Sequence, residues 1–150
     1  MGWVRRIMPE PAVPAKLKRL VSLRSRGCCE YCFGQARFAL QEFSIEHILP
    51  KSKGGKSDSE NLALACQGCN NHKYNHTHAR DPVSQAIVTI YNPRQQRWSE
   101  HFAWNEDFTA IVGLTQTGRA TVQALELNRP PLINLRRILY QAGEHPPATA

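Results

Sequence analysis

Four of the five cysteines fall in two Cys-x2-Cys pairs, Cys29 with Cys32 and Cys66 with Cys69, and 33 residues separate the pairs. Thiolates are soft donors, and two such turns suit one tetrahedral Zn2+ with four sulfurs at about 2.3 Å. A closed four-sulfur shell leaves no open position, so this ion would be structural. It would pin the two ends of the intervening segment where a small core cannot. A thioredoxin-like redox pair would leave the second pair unexplained. Cys28 could compete with Cys29 as a ligand. The two-residue spacing favours Cys29 and leaves Cys28 as a small core residue. Between the pairs runs "SIEHILPKSKGGKSDSEN", with His47 behind Glu46, a basic loop around Gly54-Gly55, and Asn61. A zinc scaffold does not require these residues. An imidazole with its ordinary pKa of about 6.5 can take a proton from water. A lone histidine on a strand, however, is more often structural.

These residues need a frame, and 150 residues at 41% apolar composition suffice for one domain with a modest core. No apolar run approaches the length of a membrane helix, and "MGWVRRIMPEPAVPAK" lacks the apolar region of a secretory signal. A cytoplasmic protein with reduced cysteines is the expectation, which again favours metal over disulfides. Residues 1–80 carry 13 Lys+Arg against 6 Asp+Glu, while residues 81–150 carry 6 of each. The whole formal charge of +7 therefore sits on the half with the cysteine pairs. Such an excess favours a polyanion, because each neutralised phosphate releases a counterion. A basic protein with no nucleic-acid partner is the plain alternative.

Three segments follow from pattern. Residues 1–27 read as a proline-bearing arm and a basic helix, "AKLKRLVSLRSRG", with Leu17, Leu20, Val21 and Leu23 as its apolar stripe and Gly27 as its stop. Residues 28–80 read as a cysteine knuckle, short strands, a polar loop and a helix opening near Cys69. Residues 81–150 read as an extension packed on that module. Its "AIVTIYNPRQQRWSEHFAWNEDFTAIVGLT" gives three strands. A helix follows from Thr117 as N-cap, and then a last helix with Pro131 near its start and Gly143 past its end. Trp98, Phe102, Trp104 and Phe108 are expected in the core rather than on a base-stacking platform.

Glu46-His47-Ile48, Pro50, Gly54-Gly55, Glu60-Asn61-Leu62, Cys66-x2-Cys69-Asn70 and Lys73, in that order, resemble the HNH nucleases, in their zinc-bearing branch. The resemblance runs over residues 28–76. The intervals from His47 to Asn61 to Asn70 are also similar to those of the HNH domain in RNA-guided CRISPR nucleases. "NPRQQRWSEHFAW" is similar to a segment found beside the module in small stand-alone bacterial proteins, without implying an activity. The resemblance implies an α+β chain with a ββα-metal, treble-clef-like fold: two antiparallel strands, an Ω-like loop, and a helix clasping one divalent cation. Here a C-terminal antiparallel strand meander and two helices would follow it.

The resemblance also implies roles. His47 would be the general base, and Asn61 would fix the loop and orient it. Glu46 and Asn70 would hold the catalytic cation. Many members carry a histidine at the position of Asn70, and an amide oxygen there suits Mg2+ or Mn2+. Asn70 could instead cap the helix after Cys69. In a regular strand Glu46 and His47 point to opposite faces. Both serve one site only if the strand bends or ends there, as Ile48-Leu49-Pro50 would allow. Lys51, Lys53, Lys56 and Lys73 would contact phosphate, and His72 would be a third ligand or a phosphate contact. His76 and His78 are expected on a solvated surface. The implied activity is a metal-dependent DNA endonuclease. The rivals are a non-catalytic zinc-stabilised nucleic-acid-binding module and a protein-interaction scaffold.

Overall fold

The computed structural model describes residues 12–148; residues 1–11 of the arm expected over residues 1–14 lie outside them. Helix α1 (Ala15–Arg24) begins after Pro14, whose carbonyl accepts from Leu17 and Lys18. It ends in a left-handed turn at Arg26 and Gly27, with Gly27 N–H returning to Ser22 O at 3.1 Å. Only part of the expected stripe is inside. Val21 is fully buried and Leu17 packs beside it, whereas Leu20 and Leu23 are 45% and 69% exposed. The helix rests on a narrow two-stranded surface, too small to cover four leucine-sized residues.

That surface is the hairpin of β1 (Ser44–His47) and β2 (Leu62–Ala65), paired from Ser44 opposite Ala65 to His47 opposite Leu62. Cross-strand partners share a face. Ile45, Leu62 and Leu64 therefore form one side and pack on Val21 of α1, while Ala63 and Ala65 join the cysteine side. Helix α2 (Gln67–Lys73) follows directly, with Cys66 as N-cap, and stops where Tyr74 takes φ 49°.

The C-terminal half departs from the expected meander. Strand β3 (His78–Arg80) pairs with β4 (Ile87–Thr89), and β5 (Phe102–Trp104) pairs with β6 (Ile111–Gly113), as two separate antiparallel pairs. Between them the Asn92 carbonyl accepts from Gln95 and Gln96 and its side chain from Arg94 N–H, curling the chain. A short helix α3 (Trp98–His101) then breaks the extended path. Helix α4 (Gln116–Ala124) is capped by Thr115, whose hydroxyl accepts from Gly118 N–H at 3.0 Å, and not by Thr117. Helix α5 (Pro130–Gln141) opens on its prolines and closes before left-handed Gly143, as expected.

One core joins both halves. Cys29, Tyr31, Cys32, Ile48, Ala63, Ala65, Cys66 and Cys69 pack with Ile90, Tyr91, Phe102, Ile111, Leu125 and Leu127. Trp98 and Trp104 pack against this cluster, and the Trp98 indole donates to Tyr31 O at 3.0 Å. Phe108 instead stacks on Tyr140 at the periphery.

Candidate metal centre and hairpin site

The knuckle at Cys28–Gln35 and the start of α2 bring Cys29, Cys32, Cys66 and Cys69 together, with all four sulfurs within 4.8 Å of one another. A tetrahedron with metal–sulfur bonds of about 2.3 Å has sulfur–sulfur edges of about 3.8 Å. The Cys32–Cys66 separation is 3.7 Å, so the donor set fits zinc in chemistry and in size. Cys28 is buried outside the quartet, in the bridge to Gln35. Burial pushes the Cys29 thiol up, whereas hydrogen bonds from Cys29, Cys32 and Cys69 push Cys66 down. Thiols packed this closely must share protons, and a dication replaces those protons.

The loop between the strands is held by one side chain. Asn61 accepts from Leu49 N–H at 2.8 Å and donates to Leu49 O and Lys56 O at 3.0 and 2.9 Å. Its own carbonyl accepts from Ile48 N–H. The fit needs a glycine at 55: a Cβ there would sit 1.7 Å from Leu49 O. Within this clamped loop, Ser57 Oγ lies 2.8 Å from His47 Nε2. His47 is the last residue of β1 and half-buried. Asn70 sits on α2 across from β1, its amide nitrogen 3.5 Å from Ser44 Oγ. Cys66, not Asn70, caps that helix.

Residues 29–76 match the family model described as HNH endonuclease. This segment is an HNH domain. No curated protein matches the chain. Its matched part coincides with the hairpin, the loop, the thiol quartet and α2.

Within the HNH domain two expected site residues are placed differently. Glu46 is 5% exposed, and its Oε1 takes Lys73 Nζ at 2.7 Å and the Tyr31 hydroxyl at 3.2 Å. Lys73 is itself 2% exposed and also donates to Ile48 O at 2.9 Å. Lys73 is therefore a bolt between α2 and β1 and not a free phosphate contact. The cause is local: it ends α2 facing the hairpin, where Glu46 is the one acidic side chain turned inward. Of the Glu46 carboxylate, expected to hold the cation, one oxygen is already engaged. Its other oxygen, Oε2, is buried without a partner among the described residues. Burial raises the Glu46 carboxyl above its ordinary value, against the lowering influence of Lys73 and Tyr31. Glu46 and Asn70 thus lie on the α2 side of the hairpin, and the alternation turns His47 the other way. The strand ends at His47 but does not bend the two side chains together.

His72 is paired with Glu126 at 2.8 Å, and His76 and His78 are exposed. Lys53 and Lys56 are exposed on the loop, and Lys51 is half-buried. Sequence reasoning missed Ser57, Tyr31 and Arg129. The Arg129 guanidinium donates to Cys66 Sγ at 3.3 Å and approaches Cys69 Sγ at 3.7 Å. Nothing in local spacing links position 129 to the cysteines. Only the fold does. Among the described residues no helix is long and apolar enough to cross a membrane.

Proposed function

We propose that the chain is a metal-dependent DNA endonuclease that hydrolyses phosphodiester bonds in the cytoplasm. The observation that carries this reading is an imidazole nitrogen 2.8 Å from a hydroxyl, at the end of a strand, in a loop locked by Asn61. A general base needs that distance to the oxygen it deprotonates. Ser57 Oγ marks the place the attacking water would take, or orients the ring by its own hydrogen bond. His47 takes the water proton as the oxygen attacks phosphorus in line, and the 3′ oxygen leaves, giving 5′-phosphate and 3′-hydroxyl ends. Asn61 acts through the loop as a positioning residue. Lys51, Lys53 and Lys56 meet the phosphate backbone around the scissile bond.

The unpartnered Glu46 Oε2 and the amide of Asn70 are the donors that would hold Mg2+ or Mn2+, and they serve the phosphate at His47 only when the end of β1 opens to bring the two faces together. Such an ion supplies neutralisation of the charge that grows on the phosphate. Lys73 already offers one positive charge to the same carboxylate, so Glu46 binds a second cation only as that pair loosens.

That ion pair also favours a second reading, a zinc-stabilised module that grips nucleic acid without cutting it. Plasmid cleavage in Mg2+ or Mn2+, on wild type and His47→Ala, decides between the two. The enzyme predicts cleavage that His47→Ala lowers by about 10^2–10^4-fold with DNA affinity and zinc content kept. Salt-sensitive DNA binding with no cleavage in either ion would establish the binding module instead.

A further inference from the structure

Arg129 stands just before α5, far in sequence from every cysteine, yet its guanidinium reaches two of the four sulfurs. Its Nη2 donates to Cys66 Sγ at 3.3 Å, and Nη1 lies 3.7 Å from Cys69 Sγ. Nη1 is also held by the carbonyls of Leu125 and Glu126, so the fork is aimed rather than dangling. The path to the sulfurs passes over Gly68, where a Cβ would fall 2.3 Å from Nη2. Any other residue at 68 would push the guanidinium off its line.

The electrostatics give this contact its purpose. A dication held by four thiolates carries a net charge of about −2. Here that charge is buried, and burying an uncompensated charge is costly. Gly34 N–H to Cys32 Sγ at 3.3 Å and Cys69 N–H to Cys66 Sγ at 3.4 Å supply neutral donors. Among the described residues Arg129 is the cation with hydrogen bonds to the quartet. Groups outside the ligand sphere commonly set metal affinity and ligand basicity through such contacts.

We propose that Arg129 is an outer member of the metal centre, which hydrogen-bonds the ligand sulfurs, offsets the buried negative charge of the loaded site and makes metal retention depend on the C-terminal half of the chain. The inference rests on the four-thiolate reading and is independent of nuclease activity. It gives the segment from Asp81 onward a defined role, since α4 and the turn after it carry the counter-charge to the knuckle. Zinc leaves a thiolate site when a sulfur is protonated or captured by another electrophile. A guanidinium that stabilises the sulfur anion slows both.

The test uses the full-length protein loaded with Zn2+, and in parallel with Co2+, whose thiolate charge-transfer bands report electron density on sulfur. Zinc loss to a competing chelator is timed for wild type, Arg129→Met, Arg129→Lys, and Arg137→Met as an exposed control on α5. Arg129→Met is expected to lose zinc about 10-fold faster or more, with Arg129→Lys between it and wild type and Arg137→Met unchanged. The Co2+ bands of Arg129→Met should move to lower energy as the sulfurs lose their donors. Should Arg129→Met not fold, Arg129→Lys and Gly68→Ala, which displaces the guanidinium, carry the same comparison. Zinc loss within twofold of wild type in these variants, with unmoved Co2+ bands, overturns the proposal. A wild type with no thiolate band at all would remove the metal centre, and the proposal with it.

Discussion

Glu46 and His47 are neighbours in the chain but occupy different electrostatic surroundings. Glu46 is buried against Lys73 and Tyr31, whereas His47 meets a hydroxyl at the rim of a polar loop. Since burial holds the Glu46 carboxyl above its ordinary 4.5, its contribution to stability is complete below that pH and is lost as pH rises through the folded-state value. Lys73 opposes this loss. Lys73→Met should therefore lower stability by about 3–5 kcal/mol at neutral pH by leaving a buried carboxylate unpaired. That deficit should shrink as the pH falls and Glu46 protonates. Urea midpoints at pH 7 and pH 4.5 measure it, and an equal deficit at both would show that Lys73 acts through packing alone. The pattern of residue types singled out Glu46, His47 and Lys73, each for a different role. It could not foretell that two of them neutralise each other, because partner choice among inward-facing charges depends on how α2 lies across β1.

At the scale of elements, the loop between β1 and β2 holds two short 3-10 turns, Lys51–Lys53 and Ser59–Asn61, and the Asn61 amide ties them together. Asn61→Asp keeps the acceptor for Leu49 N–H but turns a negative oxygen on the carbonyls of Leu49 and Lys56. Hydrogen exchange across residues 48–57 should quicken and cleavage should fall, while zinc content stays at the wild-type level. Gly55→Ala should do the same by displacing Leu49. A loop that exchanges as slowly as wild type would mean that Asn61 is dispensable as a clamp. A second junction fixes the C-terminal half: Asp81 receives Val83 and Ser84 N–H and a two-pronged contact from Arg119 at 2.8 and 2.9 Å. Arg119 beside it holds the Asp81 carboxyl well below the ordinary 3.8. Its stabilising contribution is therefore present above that pH and lost as pH falls through and below it. Asp81→Asn should flatten the acid limb of the stability curve between about pH 2 and pH 5, a slope opposite in sign to that of Glu46. The strands of this half could be read from their β-rich composition. Their partners could not, since pairing turned on the Asn92 curl and a helical turn at Trp98.

Across the whole molecule, a shared core predicts shared melting. Stripping the metal with a chelator should abolish the near-ultraviolet signal of Trp98 and Trp104 together with the helical signal, in one transition. Survival of the tryptophan signal after metal loss would mean that the extension folds without the knuckle. The chain by itself determined the thiol quartet, the loop that holds Asn61 and the identity of the HNH segment, because these rest on short spacings that local geometry converts directly into proximity. Tertiary structure alone decided that Lys73 closes on Glu46, that Ser57 faces His47, and that Arg129 reaches the sulfurs from 60 residues past Cys69. Those contacts join distant segments through the packing of helices on a small sheet. Their energy comes from the desolvated charges that packing brings together, and no pattern in a linear sequence states which charges those will be.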